Sequence, residues 1–248
     1  MIRRCSLTLC CLVALSGCSS TGVGNPAPVP MSLGLTIVDD PKDQDVDQDL
    51  PQASIQDAIV VLGELRLQPC DPALGDVRIV PGPFVVDFKR HTTTPSIPDI
   101  SGVSGGFCGI DAPLAPGNTA ALAGRSLFFD GFRGDGTFFI VYANMHGVLK
   151  LRATGGQSWL GQDPPSKFFW ALRPRRWLAK SELNSADITP GDSQQAVVID
   201  ANRHPALFLA IRSRLAGLSK LYADVDGDGE FTDVDRDAVV GEGLENAD

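Results

Sequence analysis

The chain has 248 residues, of which 43% are hydrophobic and 21% charged, with a formal net charge of −9. That length suits one globular body with appendages rather than two domains. The acid excess sits in two segments: six aspartates face one lysine from Asp39 to Asp49, and ten acids face Arg236 alone from Tyr222 to Asp248. The remainder is slightly basic, which disfavours nucleic acid as a partner and makes cations the expected partners of the acidic clusters.

The chain starts Met1-Ile2-Arg3-Arg4, continues with an apolar run from Leu7 to Leu15, and reaches Leu15-Ser16-Gly17-Cys18. A basic start, a short apolar stretch and small residues before a cleavage point are the layout of an export signal. The run is shorter than the roughly 20 apolar residues that a membrane-crossing helix needs. Leu-Ser-Gly-Cys resembles the lipobox of bacterial lipoproteins. The resemblance implies that residues 1–17 are a signal peptide, that the mature chain begins at Cys18, and that Cys18 carries acyl chains such as palmitate. Several chains on one residue make membrane attachment effectively permanent. Ser19, where an aspartate would retain such a protein in the inner membrane, implies placement in the outer membrane of the cell envelope.

Cys5, Cys10 and Cys11 lie in the signal and Cys18 in the lipobox, which leaves Cys70 and Cys108. Two thiols in an oxidising compartment predict one disulfide. A two-cysteine metal site lacks neighbouring ligands at suitable spacing, and free buried thiols are the plainer alternative.

Residues 18–52 read as anchor and tether: a Ser/Gly/Pro/Ala stretch to Pro30, then an acidic, proline-flanked connector from Asp39 to Gln52. From residue 53 to 200 the pattern is that of a mainly β protein, a β-sandwich. Strands are predicted around Val61, Leu65 and Leu67, then at Val77 to Val80, Pro83 to Phe88, Leu127 to Asp130, Gly136 to Tyr142, Val148 to Arg152 and Lys167 to Leu172. Residues 130 to 137 suit a hairpin. This body, from about residue 55 to 180, is similar to small β-sandwich lipoproteins of uncharacterised families in Gram-negative bacteria, a resemblance that implies a fold and no activity.

Residues 201–248 read as a helix plus a cation loop. Pro205 opens a helix with Leu207, Ile211, Leu215 and Leu218 on one face, predicted to run to residue 220 and straight into the acidic loop. In that loop Asp224, Asp226 and Asp228 alternate, Gly229 permits a sharp turn, Glu230 offers a backbone carbonyl, Thr232 sits where a water-mediated ligand belongs, and Asp235 closes a twelve-residue count. Crowded hard oxygen donors call for a hard cation, and Ca2+ tolerates irregular coordination better than Mg2+. The loop resembles an EF-hand, with an aspartate at its last position as in dockerin-type loops. The resemblance implies a preceding helix and a short second helix over Asp233 to Val240.

Other candidates carry less chemistry. His91, His146 and His204 belong to no motif with Ser or Cys, and Ser126 and Ser158 lack a nucleophile elbow. Arg173-Pro-Arg-Arg-Trp177 reads as a solvated basic rim with its indole packed inward. Asp87 and Asp111 are a conceivable carboxylate pair. With no catalytic residue named, the leading expectation is a lipid-anchored envelope protein with a structural Ca2+ site and a role in binding, adhesion or envelope assembly. The alternative is an anchored extracytoplasmic hydrolase acting on glycan or peptide.

Overall fold

The computed structural model describes residues 30–37, 53–87, 89–118, 122–155, 158–159, 166–178, 180–189, 195–217 and 219–244. The signal segment, Cys18 and the acidic connector from Asp39 to Gln52 lie outside the described residues. Strands come first in the chain order: β1 Ser32–Ile37, β2 Ala53–Leu62, β3 Leu65–Pro69, β4 Arg78–Val80, β5 Phe84–Asp87, β6 Thr92–Thr94 and β7 Phe107–Pro113. They continue as β8 Leu127–Arg133, β9 Phe138–Ala143, β10 Val148–Ala153 and β11 Lys167–Leu172. Helices α1 Pro174–Trp177 and α2 Lys180–Ser185 follow, then β12 Val197–Ile199, α3 Pro205–Gly217, β13 Lys220–Ala223 and β14 Val239–Leu244.

The strands form a β-sandwich of two sheets. One has eight strands in the order β1-β11-β13-β14-β10-β7-β3-β4, the other six in the order β12-β9-β8-β2-β5-β6. Alternation in the sequence decides which side chains enter the space between them. From the smaller sheet come Phe84, Val86, Leu127, Phe129, Phe139 and Val141, and from the larger Leu65, Ile110, Leu149, Leu151, Trp170 and Leu221, all buried in one continuous core. Helix α3 sends Leu207, Ile211 and Leu215 into that core and touches β12 of one sheet and β10 and β14 of the other. It therefore bridges the two layers.

Two boundaries differ from the sequence reading. Strand β1 lies inside the segment expected to be tether and pairs in parallel with β11, from Ser32 opposite Lys167 to Ile37 opposite Leu172. The C-terminal segment is no appendage either, because β13 and β14 run side by side within the larger sheet, between β11 and β10. The expected helix over 205–220 ends at Gly217. Leu221 and Tyr222 then follow strand alternation, with Leu221 in the core.

Cys70 and Cys108 form a disulfide with Cα atoms 4.8 Å apart, closing a separation of 38 residues next to the β3–β7 pairing. A closed loop of that length removes enough unfolded-state entropy to stabilise a fold by about 4 kcal/mol in the chain-entropy account. Trp159, fully buried, donates its indole N–H to the carbonyl of Val240 at 2.9 Å. It can lie against β14 because position 241 is glycine: a Cβ there would stand 2.8 Å from Trp159 Cζ2 and 2.7 Å from Leu151 Cδ2.

Gly241→Ala should therefore lower stability by roughly 1–3 kcal/mol, the usual cost of overpacking a core. Urea unfolding of the two proteins checks this, and an unchanged midpoint would contradict the close packing of Trp159 on β14.

Candidate metal centre

The acidic loop joins β13 to β14, and its neck is pinned to the larger sheet. Ala223 N–H donates to the Ala238 carbonyl at 3.0 Å, and Asp224 N–H to the Lys167 carbonyl of β11, also at 3.0 Å. Within the loop the carboxylates accept from backbone amides. Asp224 takes Gly227 N–H at 2.8 Å on one oxygen and Gly229 N–H at 3.0 Å on the other. Asp235 takes Val225 N–H at 2.8 Å on Oδ1, and on Oδ2 both Thr232 N–H at 2.8 Å and the Thr232 hydroxyl at 3.1 Å. Gly229 stands at φ +81°, a left-handed conformation that side chains other than glycine's rarely adopt. Its carbonyl accepts a hydrogen bond from Lys167 Nζ. The Phe231 ring packs 5.7 Å from Phe169 and 5.0 Å from Tyr222, centroid to centroid, which holds the far side of the loop on the sheet.

Asp224, Asp226 and Asp235 each bring a carboxylate oxygen within 4.8 Å of the others, a group that can hold a metal ion. Asp235 has no exposed surface, Asp224 is half-buried and Asp226 is exposed, so the triad runs from the interior to solvent. Asp235 Oδ2 already accepts two hydrogen bonds, but each carboxylate of the triad keeps at least one oxygen that accepts a single one and so has a further lone pair with which to ligate.

The other expected ligands are placed differently. Asp228 lies outside the group and accepts Glu230 N–H at 2.7 Å, Glu230 is exposed, and the Thr232 hydroxyl reaches both Asp226, at 3.4 Å, and Asp235. The flanking elements correct the EF-hand expectation. A strand precedes the loop, and over Asp233 to Val240 there is a single 3-10 turn at Asp235–Asp237 that leads into β14. Helix is ruled out locally because both flanks hydrogen-bond into a sheet and the Val239-Val240 pair is β-branched. The sequence reading missed Lys167; only the β11–β13 register brings it to the loop.

Several of the remaining candidates are held in structural contacts. The Ser126 hydroxyl, buried, donates to the Met145 carbonyl at 3.1 Å and accepts Met145 N–H at 2.8 Å. His146 is exposed, and His204 Nε2 lies 3.1 Å from the Asp187 carbonyl. Trp177 packs inward, 5.7 Å from the Phe129 ring, as the sequence suggests. Arg173, by contrast, is only 3% exposed instead of forming a rim, and burial lowers its pKa to about 10. Asp87 and Asp111 lie in different sheets and are not paired.

A carboxylate pair does exist elsewhere, at Asp57 and Asp130, cross-strand partners on β2 and β8. One oxygen of each is buried without a hydrogen-bond partner. The pair was hidden in the sequence because a bulge between Ile55 and Asp57 shifts the register that sets these two opposite each other. Burial, with the charge of Asp57 adding to it, raises the Asp130 pKa above its ordinary 3.8.

No family model, curated protein or solved structure matches the chain.

A raised folded-state pKa means that ionising Asp130 costs stability. The cost is absent below the unfolded value near 3.8 and complete above the folded one. Asp130→Asn should remove that cost and give Asp57 an amide donor. At pH 7 its melting temperature should rise by roughly 2–4 °C if the relief is worth about 1 kcal/mol, and the gain should fade as pH falls into the acid range. Thermal melts of both proteins from pH 3 to 7 decide it; a variant less stable than the parent at pH 7 would contradict the assignment.

Proposed function

We propose that this chain is a lipid-anchored, non-enzymatic protein of the bacterial cell envelope, held at the outer membrane by acylated Cys18, whose sandwich is clamped by one Ca2+ ion in the 224–235 loop. The observation that carries the reading is the position of the acidic triad. It lies on the connection between two neighbouring strands inside the larger sheet, so an ion there would tie β13 to β14 rather than open or close a helix pair. An all-oxygen donor set of carboxylates, with a threonine hydroxyl beside them, suits Ca2+ best among the common divalent ions. Lipobox-like residues Leu15 to Cys18 and the export-signal layout before them support the anchored location. The role fitting such a body is binding or adhesion at the envelope, with a partner among proteins or glycans.

Calcium held by the folded state alone raises stability through mass action. A lone loop of this kind is expected to bind with a dissociation constant on the order of 10⁻⁴ to 10⁻³ M. Millimolar Ca2+ should raise the melting temperature, and chelator should reverse the shift. Asp226→Asn is the sharpest variant, because Asp226 is exposed and contributes little to the loop's own bonding. It should fold like the parent and lose most of the Ca2+ shift. A parent protein indifferent to millimolar Ca2+ in both melting and calorimetric titration would sink the clamp.

The anchor has its own test. Cys18→Ala should abolish incorporation of labelled palmitate and release the protein from the membrane fraction of an expressing bacterium. Undiminished labelling in that variant would overturn the lipid assignment.

A further inference from the structure

We propose that the free edge of β1 is a docking groove for an extended peptide, which would add to the larger sheet as a further strand. Among the described residues strand β1 ends that sheet, with β11 on one side only, while β5 and β6 of the smaller sheet come close to it. The direction of its backbone groups follows from two contacts at its start. Met31 exchanges N–H and C=O hydrogen bonds with Ile100 on the outer side, at 2.9 and 2.8 Å, whereas Ser32 N–H turns the other way, to Ser166 beside β11. Successive residues alternate, so the N–H and C=O of Leu33 and Leu35 point outward, like those of Met31. Among the described residues these groups have one partner, the Thr93 hydroxyl on the Leu35 carbonyl at 3.5 Å.

The reason the edge stays open is in the sequence. If the pairing of Met31 with Ile100 continued, residue 98 would stand opposite Leu33. That residue is proline and has no N–H to give. The ladder stops after one pair, and a cavity of about 550 Å³ opens beyond it.

Four consecutive residues, Leu33 to Thr36, line that cavity, although their side chains alternate between the core and the opposite face. A void that meets four consecutive residues of a strand reaches its edge, and Lys167 and Phe169, two apart on β11, carry it over the outer face of the sheet as well. An edge that presents unmet donors and acceptors at strand spacing is complementary to another extended backbone. The Phe169 and Phe231 rings and Ile97 also line the cavity and supply an apolar seat for one peptide side chain, with Lys167 and Glu230 nearby. The groove adjoins the acidic loop through Gly229 to Phe231, but this proposal stands without any cation there.

The experiment uses the full chain and a set of ten-residue peptides with Val or Thr at alternate positions and every residue type at the centre. Fluorescence anisotropy measures binding, and hydrogen exchange reads individual amides. Some members should bind. N-methylation of the peptide amides facing β1 should weaken binding at least tenfold, and bound peptide should slow exchange at Leu33 and Leu35 more than elsewhere. Pro98→Ala restores the missing N–H, so it should protect the edge internally and weaken peptide binding at least tenfold while keeping the melting temperature. The proposal is overturned if no peptide in the set binds, or if binding leaves the Leu33 and Leu35 amides unprotected. Slow exchange at those two amides in the free protein, together with a dimer in sedimentation, would overturn it in favour of a second copy.

Discussion

The connection between β13 and β14 turns on Asp235, a carboxylate with no accessible surface. Those two strands are the seam of the sheet, with β1 and β11 on one side and β10, β7, β3 and β4 on the other. A buried polar group left without partners costs about 1–3 kcal/mol, and a charged one more. Asp235 escapes that cost by accepting from Val225 N–H, Thr232 N–H and the Thr232 hydroxyl, and these bonds draw both ends of the loop together. One side chain thus satisfies itself and ties the start of the loop to its end.

Much of the sandwich was legible because its strands obey a period of two. The runs at 83–88, 127–130, 136–142, 148–152 and 167–172 fall within or overlap β5, β8, β9, β10 and β11. What escaped was the part decided by distant pairing. In β1, Leu33 and Leu35 alternate with Gly34 and Thr36. Six such residues between a proline-rich stretch and an acidic one carry little local signal, and β11, their partner, lies far along the chain. The C-terminal strands were lost for a different reason. The spacing of carboxylates in 224–235 is that of a helix-flanked loop, and it drew helices onto flanks whose Leu221-Tyr222 and Val239-Val240 pairs favour strand.

The outward faces of the two sheets are unlike. On the larger one, Asp111 receives Arg152 at 2.6 Å and Gln68 at 3.2 Å, a polar network across β3, β7 and β10 of the kind that a solvated sheet face normally carries. On the smaller one, ring pairs Phe128–Tyr142 and Phe132–Phe138 flank Asp130, and the Arg125 guanidinium lies 4.1 Å over Tyr142. Most of these rings are half-buried against one another, and Phe132 is the most open at 41%. Their mutual packing removes apolar area from water without a second layer. It also supplies the apolar surroundings in which the Asp57 and Asp130 oxygens lose their hydration.

The charge of the acidic loop is partly answered from within. Lys167 donates to the Gly229 carbonyl, and Arg236 pairs with Asp233 at 2.9 Å while lying 5.6 Å over the Phe231 ring. Each carboxylate of the triad also accepts at least one hydrogen bond from the loop itself. The loop can therefore hold its shape through amide donors and two nearby cationic side chains, with repulsion among the three carboxylates as the residual strain. An ion entering such a site would relieve that residue and displace little else. Its binding energy is then limited to the repulsion removed plus the coordination gained, less the repulsion it meets from Lys167 and Arg236. For the proposed Ca2+ site this balance suits a weak clamp that fills where the ion is abundant. It does not suit a switch, which needs two loop structures separated by a few kcal/mol and a ligand that strongly prefers one of them.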